Sequence, residues 1–222
     1  MKNVMQLETV KHVTNRQGVQ LANLARKSEV PREKFAEFLK DNMRIEKFFC
    51  ELRNGDGWPE KIQNLKLEAE KIGARIFVTE LSVDYTKSHN ESAMLGGPQT
   101  GSDYNVLKVG NLYQPENKII NETIILLNWP NGDGSYQKAV EWGLSNGLRK
   151  TTPHVPFTVG EKYPKFNYEI GSNPSYVVET TGCSFDGNAN ACCMSWSDAE
   201  RKSSLNWQSD FGSSSGWFAF RN

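Results

Sequence analysis

Four cysteines and three histidines are the side chains of this 222-residue chain best suited to nucleophilic or metal chemistry. Cys50 stands alone, whereas Cys183, Cys192 and Cys193 fall close together late in the sequence. Structural zinc draws its ligands as pairs about two to four residues apart in each half-site, a spacing these cysteines lack. Adjacent Cys192 and Cys193 would also point to opposite faces of a strand. A thiol nucleophile needs a base, because a free thiol is mostly protonated at neutral pH. That base would have to be His154, brought to Cys183 or Cys192, since His12 and His89 have no acidic or hydroxyl signature beside them. The ordinary reading of the cysteines is as small buried apolar side chains. No metal and no cofactor is expected.

Other motifs carry chemistry by letters alone. Gly96-Gly97-Pro98-Gln99-Thr100-Gly101-Ser102 lacks the Gly-Lys-Ser/Thr end that grips phosphates, and reads as a flexible loop. Ser214 sits in Gly212-Ser-Ser-Ser-Gly216, but no helix comes after it to build a nucleophile elbow. The two Asn-Gly-Asp-Gly runs, 54–57 and 131–134, lack the alternating acids and bidentate Glu of a calcium loop and read as turns that launch helices. Asn121-Glu122-Thr123 spells a glycosylation acceptor without an export signal to use it. Trp129, Trp142, Trp196, Trp207 and Trp217 make the second half aromatic-rich; most belong in a core, and any left outside would favour protein or carbohydrate contact.

The elements that must hold these residues are set by periodicity. Apolar Val4, Leu7, Val10 and Val13 recur at helical spacing, a short helix covers Val19 to Arg26, and Pro31 opens another with Phe35, Phe38 and Leu39 on one face. Helices are also expected over Ile45 to Leu52 and from Pro59 to Ile72, the latter stopped by Gly73. Arg75 to Tyr85 alternates as a strand. Ser88 to Tyr104 reads as a loop. Asn105 to Tyr113 and Lys118 to Trp129 read as a hairpin, and Ser135 caps a helix over Tyr136 to Leu144. Prolines 153, 156, 164 and 174 punctuate the stretch between that helix and the last third of the chain. Ser175 to Thr181, Ala191 to Trp196, Ser204 to Gln208 and Gly216 to Phe220 read as an antiparallel meander. The fold class is α+β: a helical domain over residues 1–73, then a mainly antiparallel β-rich domain over 74–222.

Charge excludes some partners. Lys and Arg equal Asp and Glu at 26 each, so global charge draws the chain neither to nucleic acid nor to anionic membrane. The longest apolar run, Ile124 to Leu127, is far too short to span a bilayer, and Met1 to Val13 has no apolar leader. The expectation is a cytoplasmic protein without membrane attachment; its oligomeric state is not set by the sequence.

The stretch Leu21-Ala-Asn-Leu-Ala-Arg-Lys-Ser-Glu-Val-Pro-Arg-Glu-Lys-Phe-Ala-Glu-Phe-Leu-Lys-Asp41 resembles the two central helices of lambda-repressor-like helix-turn-helix domains, over about a tenth of the chain. The resemblance implies that Leu24 and Ala25 pack the helices, Val30 closes the turn, and the helix from Pro31 to Asp41 enters the DNA major groove. Arg32, Lys34 and Glu37, with Glu33, would then face base edges, and Arg26, Lys27 and Lys40 would lie near phosphates. Glu29 stands where the family usually has Gly, a departure of about 1–2 kcal/mol in a left-handed turn. The plainer reading of the same residues is an αα-hairpin with a solvated charged face. The leading functional reading is a non-enzymatic regulatory or interaction protein with DNA as a partner. A protein-binding module or inhibitor of a larger complex comes second, and an enzyme with a cysteine-based site third.

Overall fold

The computed structural model describes residues 58–100, 104–170, 175–198, 200–212 and 214–222, together with Glu33, Lys34 and Ala36. The chain divides into two compact units, Met1–Asp56 and Gly57–Asn222. The helices read before residue 58, and Cys50, lie outside the described residues, except that Glu33, Lys34 and Ala36 are helical and exposed.

Helix α1 (Trp58–Lys71) has Glu60 in its first turn and Lys71 in its last, as the helix dipole favours. Gly73 at φ +71° ends it: Gly73 N–H bonds Glu70 O at 3.0 Å and Ala74 N–H bonds Ala69 O at 2.9 Å, a left-handed cap that glycine adopts without strain. Strand β1 (Arg75–Asp84) then pairs along its whole length, antiparallel, with β2 (Ile119–Asn128), from Arg75 opposite Asn128 to Asp84 opposite Ile119.

Two short helices fill the connection, where the sequence reads a loop and a strand. Helix α2 (His89–Gly96) starts in a reciprocal capping box between Ser88 and Glu91, which satisfies two otherwise orphaned amides. Helix α3 (Tyr104–Lys108) and a 3-10 turn (Gly110–Leu112) replace the first arm of the expected hairpin. Val106 and Val109 are three residues apart and both buried, a helical spacing that overrides the apparent alternation. The Gly96–Thr100 segment is packed rather than loose: a Cβ on Gly97 would come within 2.5 Å of Lys202 Cα, and Ser203 N–H donates to Thr100 Oγ1 at 3.0 Å.

Helix α4 (Tyr136–Ser145), capped by Ser135, leads to the short β3 (Arg149–Lys150). Helices α5 (His154–Lys162) and α6 (Phe166–Glu169) occupy the proline-punctuated stretch. The remaining strands are β4 (Ser175–Val178), β5 (Cys183–Phe185), β6 (Asn188–Ser197), β7 (Glu200–Trp207) and β8 (Gly216–Arg221). The eight described strands form one mixed sheet ordered β1-β2-β8-β4-β6-β5, with β3 on β8 and β7 on β6. The fold is thus α+β, but the last strand runs are not a plain meander. β8 inserts between β2, antiparallel, and β4, parallel.

Helices cover both faces. Leu81, Val83, Ile124, Leu126, Val177, Met194, Trp196, Trp217 and Ala219 face α5 and α6 in the larger core. On the opposite face Trp129 and Tyr136 meet Phe218 edge-on and Trp142 meets Phe220. Central β2 is buried on both sides from Glu122 to Asn128, which accounts for its unbroken Ile-Ile-Leu-Leu run.

Gly143 in α4 lets that helix lie directly on Phe220: a Cβ there would stand 2.2 Å from the ring. Phe220 is fully buried and cannot swing aside. Gly143→Ala should therefore lower stability by about 1–3 kcal/mol, despite the better helix propensity of alanine, as a drop in the urea midpoint.

Candidate functional site

The sheet breaks between β4 and β5, and polar groups gather there. Both strands run along the same edge of β6, β4 opposite Cys193–Trp196 and β5 opposite Asn188–Asn190. Residues 179–182 leave the ladder between them. Where β4 departs, the Thr180 and Thr151 hydroxyls both donate to Ala219 O, at 2.7 and 2.8 Å. Thr151 O in turn accepts the N–H groups of Thr180 and Thr181. On β6, Cys192 N–H faces the gap, and the Glu179 carboxylate fills it: Oε1 accepts from Cys192 N–H at 3.2 Å and Oε2 from Gly182 N–H at 2.8 Å. Glu179 is completely buried. Burial, only partly offset by those two amides, pushes its carboxyl up to about 8, so it is mostly protonated at neutral pH.

Gly182 makes the return to β5 feasible. Its φ is +70°, and a Cβ would stand 2.5 Å from Gln208 Nε2 and 3.0 Å from the Tyr136 hydroxyl. That hydroxyl is buried with no hydrogen-bond partner among the described residues. Burial raises the Tyr136 phenol, and Glu179, Cys183 and Cys192 act on it in the same direction.

Two thiols stand beside the carboxyl. Cys183, half-buried, opens β5 opposite Asn190; Cys192, fully buried, lies two residues further along β6 on the same face. The neighbouring Cys192 side chain, and after it Tyr113, bring the Cys183 thiol down to about 7 against the opposing effect of its burial. Burial pushes the Cys192 thiol up. Tyr113 stacks on His89, centroids 5.2 Å apart. The His89 Nε2–H donates to Val106 O at 2.8 Å, its Nδ1 is buried without a partner among the described residues, and burial holds the imidazole near 4, hence neutral. Cys193 projects to the other face and is buried.

The thiols adjoin an open cleft. Cys183, Asn190 and Trp207 form one row across β5, β6 and β7, so their side chains share a face. Past Asn190 lies a cleft of about 370 Å³ bordered by Asn105, Asp186, Asn188, Asn206, Trp207 and Asp210. Trp207 is 56% exposed, whereas Trp129, Trp142, Trp196 and Trp217 are buried in the core as the sequence implies.

His154, the base named for a thiol nucleophile, is held elsewhere: it packs on Tyr85 and bonds Lys87 O, with Glu116 and Asp84 as its charged neighbours. The histidine associated with the thiols, through Tyr113, is His89. Of the residues implied to touch DNA, Lys34 is helical and exposed; Arg26, Lys27, Arg32, Glu37 and Lys40 lie outside the described residues. Sequence reasoning missed Glu179, Tyr113 and Tyr136. The only local signal was an acid with a glycine three residues on and then a cysteine, in Glu179-Thr-Thr-Gly-Cys183. Among the described residues no His, Cys, Asp and Glu side chains group as a metal site, and no helix is long and apolar enough to cross a membrane. No protein-family model matches the chain, and neither curated proteins nor solved structures give a match.

The carboxyl sets a stability slope. Its folded pKa lies above the ordinary 4.5, so between about 4.5 and 8 the folded chain keeps a proton the unfolded chain has lost, and stability falls as pH rises. His89, held near 4 against 6.5, works oppositely: stability falls as pH drops through that window. Cys183, lowered from 9 to about 7, adds stability with rising pH above 7 and must be removed. Cys183→Ser should therefore lose about 1–2 kcal/mol between pH 6.5 and 8, and the Cys183→Ser, Glu179→Gln double variant should not. Parallel denaturation curves for the two would show that Glu179 titrates as an ordinary carboxylate.

Proposed function

We propose that this chain carries out thiol–disulfide exchange, with Cys183 as the attacking thiol, Cys192 as the second thiol and Glu179 as the proton acceptor between them. The observation that carries this reading is a half-buried thiol and a fully buried thiol on one face of neighbouring strands, beside a buried carboxyl held by backbone amides.

The co-reactant is a disulfide of a small thiol or of a protein. The Cys183 thiolate attacks one of its sulfurs, forming a mixed disulfide and releasing the first thiolate, which takes a proton from water. Cys183 then no longer bears charge, and its repulsion of Glu179 ends. The carboxyl then gives up its own proton to solvent more readily, and the carboxylate so formed takes the proton of the Cys192 thiol. The Cys192 thiolate attacks Cys183 Sγ, the protein disulfide forms, and the second thiol leaves with the proton from Glu179. Two electrons pass from the two cysteines to the substrate disulfide, which ends as two thiols.

A negatively charged alkylating reagent at pH 7, with peptide mapping of the product, should modify Cys183 at least about tenfold faster than Cys192 or Cys193. Oxidised glutathione should yield a Cys183–Cys192 disulfide. Equal alkylation rates, or glutathione retained on Cys183 with no internal disulfide, would overturn the reading.

A second reading concerns the N-terminal unit, as a DNA-binding helix-turn-helix over Leu21 to Asp41. What supports it is that Glu33 and Lys34 are on a helix and exposed. Its test is a low-salt gel shift of the full chain: retention lost in Arg32→Ala and Lys34→Ala is expected, and unchanged retention removes it.

A further inference from the structure

Beyond the thiols, we infer that the cleft beside Trp207 is a binding site for a neutral saccharide. The site is built from rigid parts. Asp186 and Gly187 join β5 to β6 with φ values of +50° and +76°, a two-residue turn whose twist matches the flanking strands. The pair Phe185 and Asn188 closes that turn, and the Asn188 amide donates to Asp186 O at 3.1 Å. Beneath it, Gln208 Nε2 donates to Asn190 O at 3.1 Å, tying the 3-10 turn (Gln208–Asp210) back to β6. Asp186 on that turn, with Trp207 and Asp210, therefore borders the cleft on fixed backbone.

The chemistry of the lining selects the ligand class. A pyranose has one face of C–H groups and a rim of hydroxyls; an indole held open to solvent stacks on the face, and planar amides and carboxylates accept or donate in pairs at the rim. Trp207 is an exposed tryptophan, and with Phe185 and Leu205 it gives the cleft an apolar patch that is outnumbered by the amides and carboxylates of Asn105, Asn188, Asn190, Asn206, Asp186 and Asp210. An apolar patch ringed by amides and carboxylates suits a ligand with one C–H face and a hydroxyl rim better than a wholly apolar peptide anchor. Two carboxylates, with no lysine or arginine among the described lining residues, disfavour anionic sugars and nucleotides by charge repulsion. At about 370 Å³ the cleft is at the small end for ligand sites, fitting one or two sugar rings of a longer glycan.

The site is independent of the exchange chemistry, and the experiment keeps the two apart. The full chain is titrated with maltotetraose, cellotetraose and chitotetraose, and with a glucuronate-containing tetrasaccharide as the anionic comparison, by calorimetry and tryptophan emission. At least one neutral tetrasaccharide should bind saturably and change the emission. Trp207→Ala should weaken that binding at least about tenfold and abolish the emission change, with an unaltered urea midpoint, while Trp207→Phe retains most of the affinity. Cys183→Ser should bind as the parent does. No saturable binding of any neutral probe, equal binding by Trp207→Ala, or tighter binding of the anionic probe would overturn the proposal.

Discussion

A buried carboxyl standing in for a missing piece of β-strand holds the centre of this molecule together. Where β4 gives way to β5, the ladder of β6 would leave Cys192 N–H unpaired in the interior, and an unpaired buried amide costs about 1–3 kcal/mol. Glu179 supplies the acceptor from its side chain while its own backbone N–H still bonds Cys192 O at 3.0 Å. The same carboxyl fixes the Gly182 turn, and that turn sets the register of Cys183 opposite Asn190. The positions of the half-buried thiol, the Asn190 amide and the exposed Trp207 all descend from that one replacement.

A carboxyl used only as a backbone cap would be better ionised, since both its hydrogen bonds come from donors. Here desolvation prevails, and the group carries its proton at neutral pH beside a thiol and two phenols that burial also keeps neutral. Cys183 is the acid of this cluster that is lowered instead of raised. Its neighbours stay neutral around it, so the cluster concentrates ionisation on its most accessible sulfur.

Local chemistry was legible wherever it was local. Helix α1 and its Gly73 stop, the β1 strand and the Ser135 cap of α4 each arise from signals within a few residues. The capping box at Ser88 and Glu91 was equally local, yet the surrounding Gly, Ser and Asn composition masked it. What could not be read is what depends on partners far along the chain. Cys183 is brought to Tyr113 and His89 across the sheet, and Glu179 is a cap only because β6 runs past it. Val106 and Val109, three residues apart and both buried, fit a helix, and α3 packs them toward the neighbouring β7.

The place of β8 has a consequence for how the sheet is closed. It is the last of the described strands in chain order but lies inside the sheet, flanked by β2 on one side and β4 on the other. Without β8, the β1–β2 pair and the group built around β6 would be two separate pieces of sheet, each with an open edge. Only residues 216–221 join the two groups of strands into one sheet, so the last described strand in chain order is the one that closes it.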